Sequence, residues 1–155
     1  MESPMASQIT SSPSLHELYE LDETAWLEQM SGLIAQKRFL EIDHEHLSEY
    51  LADTARRDKR EVRSRLILLL THLLKWQHQP EQRSNSWRGT ILVQQRELRE
   101  LLESGTLRRY ADEVFTRVYD SAVEQAAAQT GLGREAFPVE CPRSLDELHT
   151  TEELA

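Results

Sequence analysis

The chain has 155 residues, 39% of them hydrophobic and 29% charged, with a formal net charge of −9. That length suits one domain able to bury its own core. So acidic a balance excludes a broadly nucleic-acid-binding surface, which needs clustered cations to displace counterions from phosphates. A single cysteine, Cys141, excludes an intramolecular disulfide. The longest unbroken aliphatic run, LILLL at 66–70, is far short of the roughly 20 residues that span a bilayer. No basic-then-apolar signal opens the chain, so the sequence reads as a soluble, cytoplasmic protein with no membrane span.

Residues 1–14, MESPMASQITSSPS, are rich in serine and lack apolar periodicity, which predicts a flexible leader before a single helical domain over 15–155. Ser14 is placed to cap a helix carrying Leu18, Ala25, Trp26, Met30, Leu33 and Ile34, running to about Lys37. After a short FLEI link, Asp43 is an N-cap for a second stretch with Leu47, Leu51, Val62, Leu66, Leu69, Leu70 and Leu73. The polar interval 54–61, TARRDKRE, is a place for a break or bend. From 61 to 77 apolar residues cover most of the helical wheel and leave Ser64, Thr71 and Lys75 as a narrow polar strip, the pattern of a central helix. Gln79-Pro80 ends it, because proline disfavours helical geometry in the residue before it. Ser84, Asn85 or Ser86 then caps a helix with Trp87, Ile91, Leu98, Leu101 and Leu102 on one face. Ser104-Gly105 stops that helix, and Thr106 begins another that closes on a left-handed Gly131. Ser144 and Glu147 have the spacing of a capping box in the tail. No stretch alternates with period two, so the expected fold is all-α, a compact bundle of about four to six helices.

Three stretches invite a functional reading. Arg56, Arg57, Lys59, Arg60, Arg63 and Arg65 against Asp58 and Glu61 are six cations to two carboxylates, a net of +4 inside an acidic chain. Arg56, Arg60 and Arg63 share one helical face, so with Lys59 they can meet phosphates or an acidic protein, against the plainer reading of a solvated face. Arg65 and His72 also face one way, about 10 Å apart along the helix. An arginine and a histidine so placed can run metal-free RNA cleavage, as general base or acid and as stabiliser of phosphate charge. The Arg65-x6-His72 spacing resembles the signature of HEPN-type helical ribonucleases, although Leu66 stands where a polar residue often follows the arginine. The plainer reading pairs Arg65 with Glu61 one turn away and leaves His72 a neutral core histidine. Finally, His72, Lys75, Trp76, Pro80, Arg83 and Trp87 form a corner in which the central helix ends, turns, and returns Trp87 to the core.

Other constellations point away from chemistry. His44 and His46, two residues apart, leave a helix on opposite sides and cannot share a metal, so the sequence names no metal site and no cofactor. TGLG at 130–133 lacks the lysine and the preceding strand of a phosphate loop. Cys141 has no basic neighbour in sequence to activate it.

The segments LYELDETAWLEQ, RFLEIDHEHLSEY, HLLKWQHQPEQRSNSWRGTI, QRELRELLE and FPVECPRSLDEL together resemble the bacterial domain-of-unknown-function family twenty-nine, over about Leu18 to Leu148. The most specific part is HLLKWQ-x-QP-x-x-R-x-x-SW; an acidic pair usual near position 49 is reduced to Glu49 after Ser48. The resemblance implies an all-helical fold frequent in cyanobacteria and other bacteria, and it carries no activity. The reading reached from sequence is a non-enzymatic interaction module. It would use the basic helix and the Trp76 to Trp87 corner against an acidic protein or a nucleic acid, and homo-oligomerisation is compatible with it. The alternative is the metal-independent endoribonuclease using Arg65 and His72.

Overall fold

The computed structural model describes residues 11–150. Residues 1–10 of the expected leader lie outside the described residues, as do 151–155. Among the described residues there are six α-helices, two short 3-10 turns and no strand, so the fold is all-α as the periodicity predicts. No helix there is long and apolar enough to cross a membrane. The chain divides into two compact units, Met1–Thr54 and Ala55–Ala155.

The first unit holds α1 (Leu15–Leu21), α2 (Glu23–Ala35) and the opening turns of α3 (His44–His78). Ser14 begins α1 with a full capping box, its Oγ accepting from Glu17 N at 3.2 Å while Ser14 N donates to the Glu17 carboxylate at 2.9 Å. The single helix expected from Ser14 to about Lys37 is two. Asp22 leaves helical geometry at φ −154° and ψ 87°, and its carboxylate accepts from Ala25 N at 3.0 Å. A short polar side chain that can bond the backbone ahead of it both ends one helix and starts the next. α2 stops at Ala35, and Lys37 reverses the chain in the left-handed region at φ 57°, with Arg38 N donating to Leu33 O at 2.9 Å. Leu18, Trp26 and Met30 are buried here among Leu15, Tyr19, Leu27, Ile42, Leu47 and Tyr50.

The second unit contains the rest of α3, α4 (Asn85–Leu101), α5 (Gly105–Thr130) and α6 (Leu145–Thr150). The interval 54–61, expected to break or bend, is helical throughout, since it holds neither glycine nor proline and is rich in good helix formers. Val62, Leu66, Leu69, Leu70, Leu73 and Leu74 of α3 pack with Ile91 and Leu98 of α4 and with Ala111, Val114, Val118, Ala122 and Ala126 of α5. The expected polar strip is only partly polar-facing: Thr71 is 1% exposed and donates its hydroxyl to Ile67 O at 2.7 Å, so the helix itself satisfies it inside the core. Of the three candidates, Ser84 is the cap of α4. Ser104 caps α5, which begins at Gly105, one residue before the expected Thr106, and Gly131 closes it at φ 73°. Ser144 and Glu147 form the anticipated capping box on α6. Gln95 Nε2 donates to Leu148 O at 2.9 Å and Arg99 Nη2 to His149 O at 3.0 Å, tying α6 to α4, while Arg108 pairs with Asp146.

Candidate functional site

The basic stretch lies in an uninterrupted part of α3, and Arg56, Arg57, Lys59, Arg60 and Arg63 are all exposed. Lys59 Nζ sits 5.6 Å from the centre of the Tyr110 ring, which steadies its stem without burying its charge. Arg60 and Arg63 make no ion pair among the described residues, whereas Arg65, Arg96, Arg108 and Arg134 each hold a carboxylate.

Arg65 is separated from that stripe by its partners. Its Nε donates to Glu61 Oε1 at 2.9 Å, Nη1 donates to Gln94 Oε1 at 3.1 Å, and Nη2 lies 3.7 Å from Glu97 Oε2. His72 Nδ1 bonds the Leu68 carbonyl of its own helix at 2.9 Å. Burial depresses the His72 pKa, the Leu68 bond works against the shift and the Lys75 charge adds to it. His72 is therefore neutral at pH 7, and the Arg65 guanidinium is engaged on three neighbours.

At the corner, α3 ends at His78 and a 3-10 turn, Pro80–Gln82, leads to the Ser84 cap of α4. Lys75 Nζ lies 4.4 Å from the centre of the Trp87 ring and donates to Gln129 Oε1 of α5 at 3.0 Å. Burial lowers the Lys75 pKa from its ordinary value. The Arg83 guanidinium lies 4.8 Å from the Trp76 ring, and its Nε donates to Trp76 O at 2.9 Å. Lys75, Trp76, Arg83 and Trp87 are thus brought together across the reversal around Pro80, while His72 turns back to Leu68. Trp87 is half-buried rather than core, and its ring lies against the Lys75 cation. Cys141 does have a basic neighbour, Arg143 two residues on, contrary to the expectation from sequence; the thiol is half-buried, and burial pushes it up against the opposing pull of Arg143, leaving it protonated at neutral pH.

Among the described residues, a further convergence of polar groups lies in the first unit. The Asp43 carboxylate accepts from Trp26 Nε1 at 3.2 Å, from His46 N at 3.3 Å and from His46 Nδ1 at 2.7 Å, and His16 Nδ1 lies 3.7 Å away. Burial alone would raise the Asp43 pKa, but the hydrogen bonds from His46 and Trp26 outweigh it and hold the carboxyl below its usual range. The His46 ring is stacked between Tyr19 and His16, with centroids 4.1 Å from each. His44, two residues before His46, points elsewhere and meets Phe39 O at 2.9 Å. Spacing along one helix therefore separates His44 from His46 correctly, yet it cannot see that α1 delivers His16 to His46. The one local signal was Asp43-x-x-His46, an N-cap and the residue one turn on, facing the same way.

A family model described as Domain of unknown function DUF29 matches residues 18–152. No curated protein and no solved structure matches the chain.

Proposed function

The chain belongs to the DUF29 family, whose description names no activity, and from its surface we propose that it is an interaction module whose basic segment of α3 docks an acidic protein. The observation that carries this is the exposed pair Arg60 and Arg63, without ion-pair partners among the described residues and flanked by exposed Arg56 and Lys59. Arg60 and Arg63, so placed in a chain of net charge −9, give a directional field, attractive at one face and repulsive over the rest of an acidic surface. An acidic protein fits better than single-stranded nucleic acid, because the Tyr110 ring beside the stripe is half-buried and already lies under Lys59. The corner from Trp76 to Trp87 supports this reading as architecture: its two cation–ring pairs hold the reversal between α3 and α4.

Fluorescence anisotropy with labelled polyglutamate and with a labelled single-stranded RNA tests the proposal. Polyglutamate should bind and be released as salt rises toward 0.5 M, where screening shortens the Debye length to about 4 Å. The variant Arg56→Glu/Arg60→Glu/Arg63→Glu should fold normally and lose the polymer. Binding of RNA alone, or polyglutamate binding that survives both the variant and the salt, overturns it.

A further inference from the structure

We propose that His16, Asp43 and His46 form a binding site for a late first-row divalent cation, of which Zn2+ is the probe. The three residues each offer one donor atom, and these lie within 4.8 Å of one another. Two imidazoles and one carboxylate suit zinc and its neighbours, while magnesium and calcium take oxygen ligands. The proposal stands apart from the basic stripe and uses none of its residues.

A plain N-cap explains only part of this geometry. Capping α3 needs one carboxylate oxygen on the backbone of His46, which Asp43 Oδ1 supplies at 3.3 Å. The same carboxylate is also met by Trp26 from α2 and approached by His16 from α1, and neither serves the cap. The Asp43 and His46 side chains are 7% and 10% exposed, so a charged acceptor and a titratable ring are withdrawn from water together. Trp26 Nε1 fixes the carboxylate and Tyr19 fixes the His46 ring by stacking, the supporting contacts that orient ligands around a metal.

Ligand bonds of about 2.0–2.2 Å in a tetrahedral set place donors roughly 3.4 Å apart. The 3.7 Å between His16 Nδ1 and Asp43 Oδ1 is close to that. The 2.7 Å between His46 Nδ1 and Asp43 Oδ2 is a hydrogen bond and must lengthen. The ion takes the place of the shared proton, which moves to Nε2 of the same ring, so the imidazole stays neutral. His16 must turn out of its stack on His46, where the rings lie 29° apart, before its lone pair meets the ion. With 61% of its side chain exposed it has room to do so, and that open side leaves coordination positions to water. The positive end of α3 opposes a cation here, and the Asp43 carboxylate offsets it.

The full chain, prepared without a polyhistidine tag, is titrated with Zn2+ by calorimetry and with Co2+ by visible absorption. One ion per chain should bind, with the absorption of low-symmetry nitrogen and oxygen coordination. His16→Ala changes an exposed side chain and should keep the fold while weakening Zn2+ affinity by about tenfold or more, the scale on which even supporting contacts act. Asp43→Asn should weaken it further, and His44→Ala should leave it unchanged. Absence of binding at millimolar Zn2+, or affinity unmoved by His16→Ala in a variant shown folded by circular dichroism, overturns the proposal.

Discussion

The two compact units rest on different forces. In Ala55–Ala155 the buried side chains are overwhelmingly aliphatic, and polar groups such as Thr71 and Gln95 satisfy themselves on helix backbone. Among the described residues of the first unit, Leu18, Trp26 and Met30 form the buried apolar cluster, and beside it stands the Asp43 network of Trp26, His46 and His16. A small unit with little apolar area depends more heavily on satisfying its polar groups, because each buried group left unpaired costs about 1–3 kcal/mol. The larger, aliphatic unit should therefore suffer more from loss of volume than from loss of one hydrogen bond.

The comparison breaks first under truncation. Trp26→Ala removes a fully buried ring and the donor to Asp43 together, and should cost the first unit about 3–5 kcal/mol. Leu66→Ala, also fully buried, should cost the second unit about 2–5 kcal/mol. Hydrogen exchange should place each loss in its own unit. A sharper contrast is Trp26→Phe, which keeps most of the ring and deletes its N–H: protection in the first unit should fall by about 1–3 kcal/mol. If Trp26→Phe proves neutral, the polar network does not hold that unit.

Acid should separate the units as well. A carboxyl whose folded pKa is depressed contributes stability that is present above its unfolded pKa, about 3.9, and is lost as pH falls through the folded value. Exchange protection around Asp43 should therefore decline only below about pH 4, and Asp43→Asn should remove that step. His72 also has a depressed pKa, so its contribution is complete above about pH 6.5 and is lost as pH falls below that through its folded value. Melting temperature between pH 7.5 and 5 should fall slightly in the parent chain and less in His72→Gln. The same variant addresses the ribonuclease alternative: RNA cleavage in the presence of a chelator that vanishes with His72→Gln would replace the interaction reading.

Smaller effects belong to the turns. Trp87 is half-buried under Lys75, so Trp87→Ala should cost about 1–2 kcal/mol, the scale of a partly desolvated cation–ring pair, rather than the loss expected of a core tryptophan. Lys37 holds a left-handed conformation that glycine adopts without strain, and Lys37→Gly should gain up to about 1 kcal/mol in thermal melts. Arg56→Glu/Arg60→Glu/Arg63→Glu should change stability by about 1 kcal/mol or less, since each exposed helix pair contributes only about 0.3–0.5 kcal/mol.

Local chemistry determined what needed only neighbours in sequence. Ser14, Ser144 and Gly131 stand at the helix ends where they were expected, Ser84 is the cap among three candidates, Pro80 follows the end of α3, and the leucines at 66, 69, 70 and 73 are buried. Caps and amphipathic faces are set within one or two turns, and the sequence carries them directly. The break at Asp22 was legible in principle, but an apolar period running across it masked the competing backbone bond. Tertiary structure decided the rest. Whether Trp87 is enclosed depends on Lys75, whether Arg65 is available depends on Gln94 and Glu97 of another helix, and whether His46 meets a second imidazole depends on α1 placing His16 beside it. Contacts between residues 29 or 30 apart, such as Arg65 with Gln94 or His16 with His46, arise only when separate helices pack, and no periodicity in one segment encodes the rotation of its neighbour.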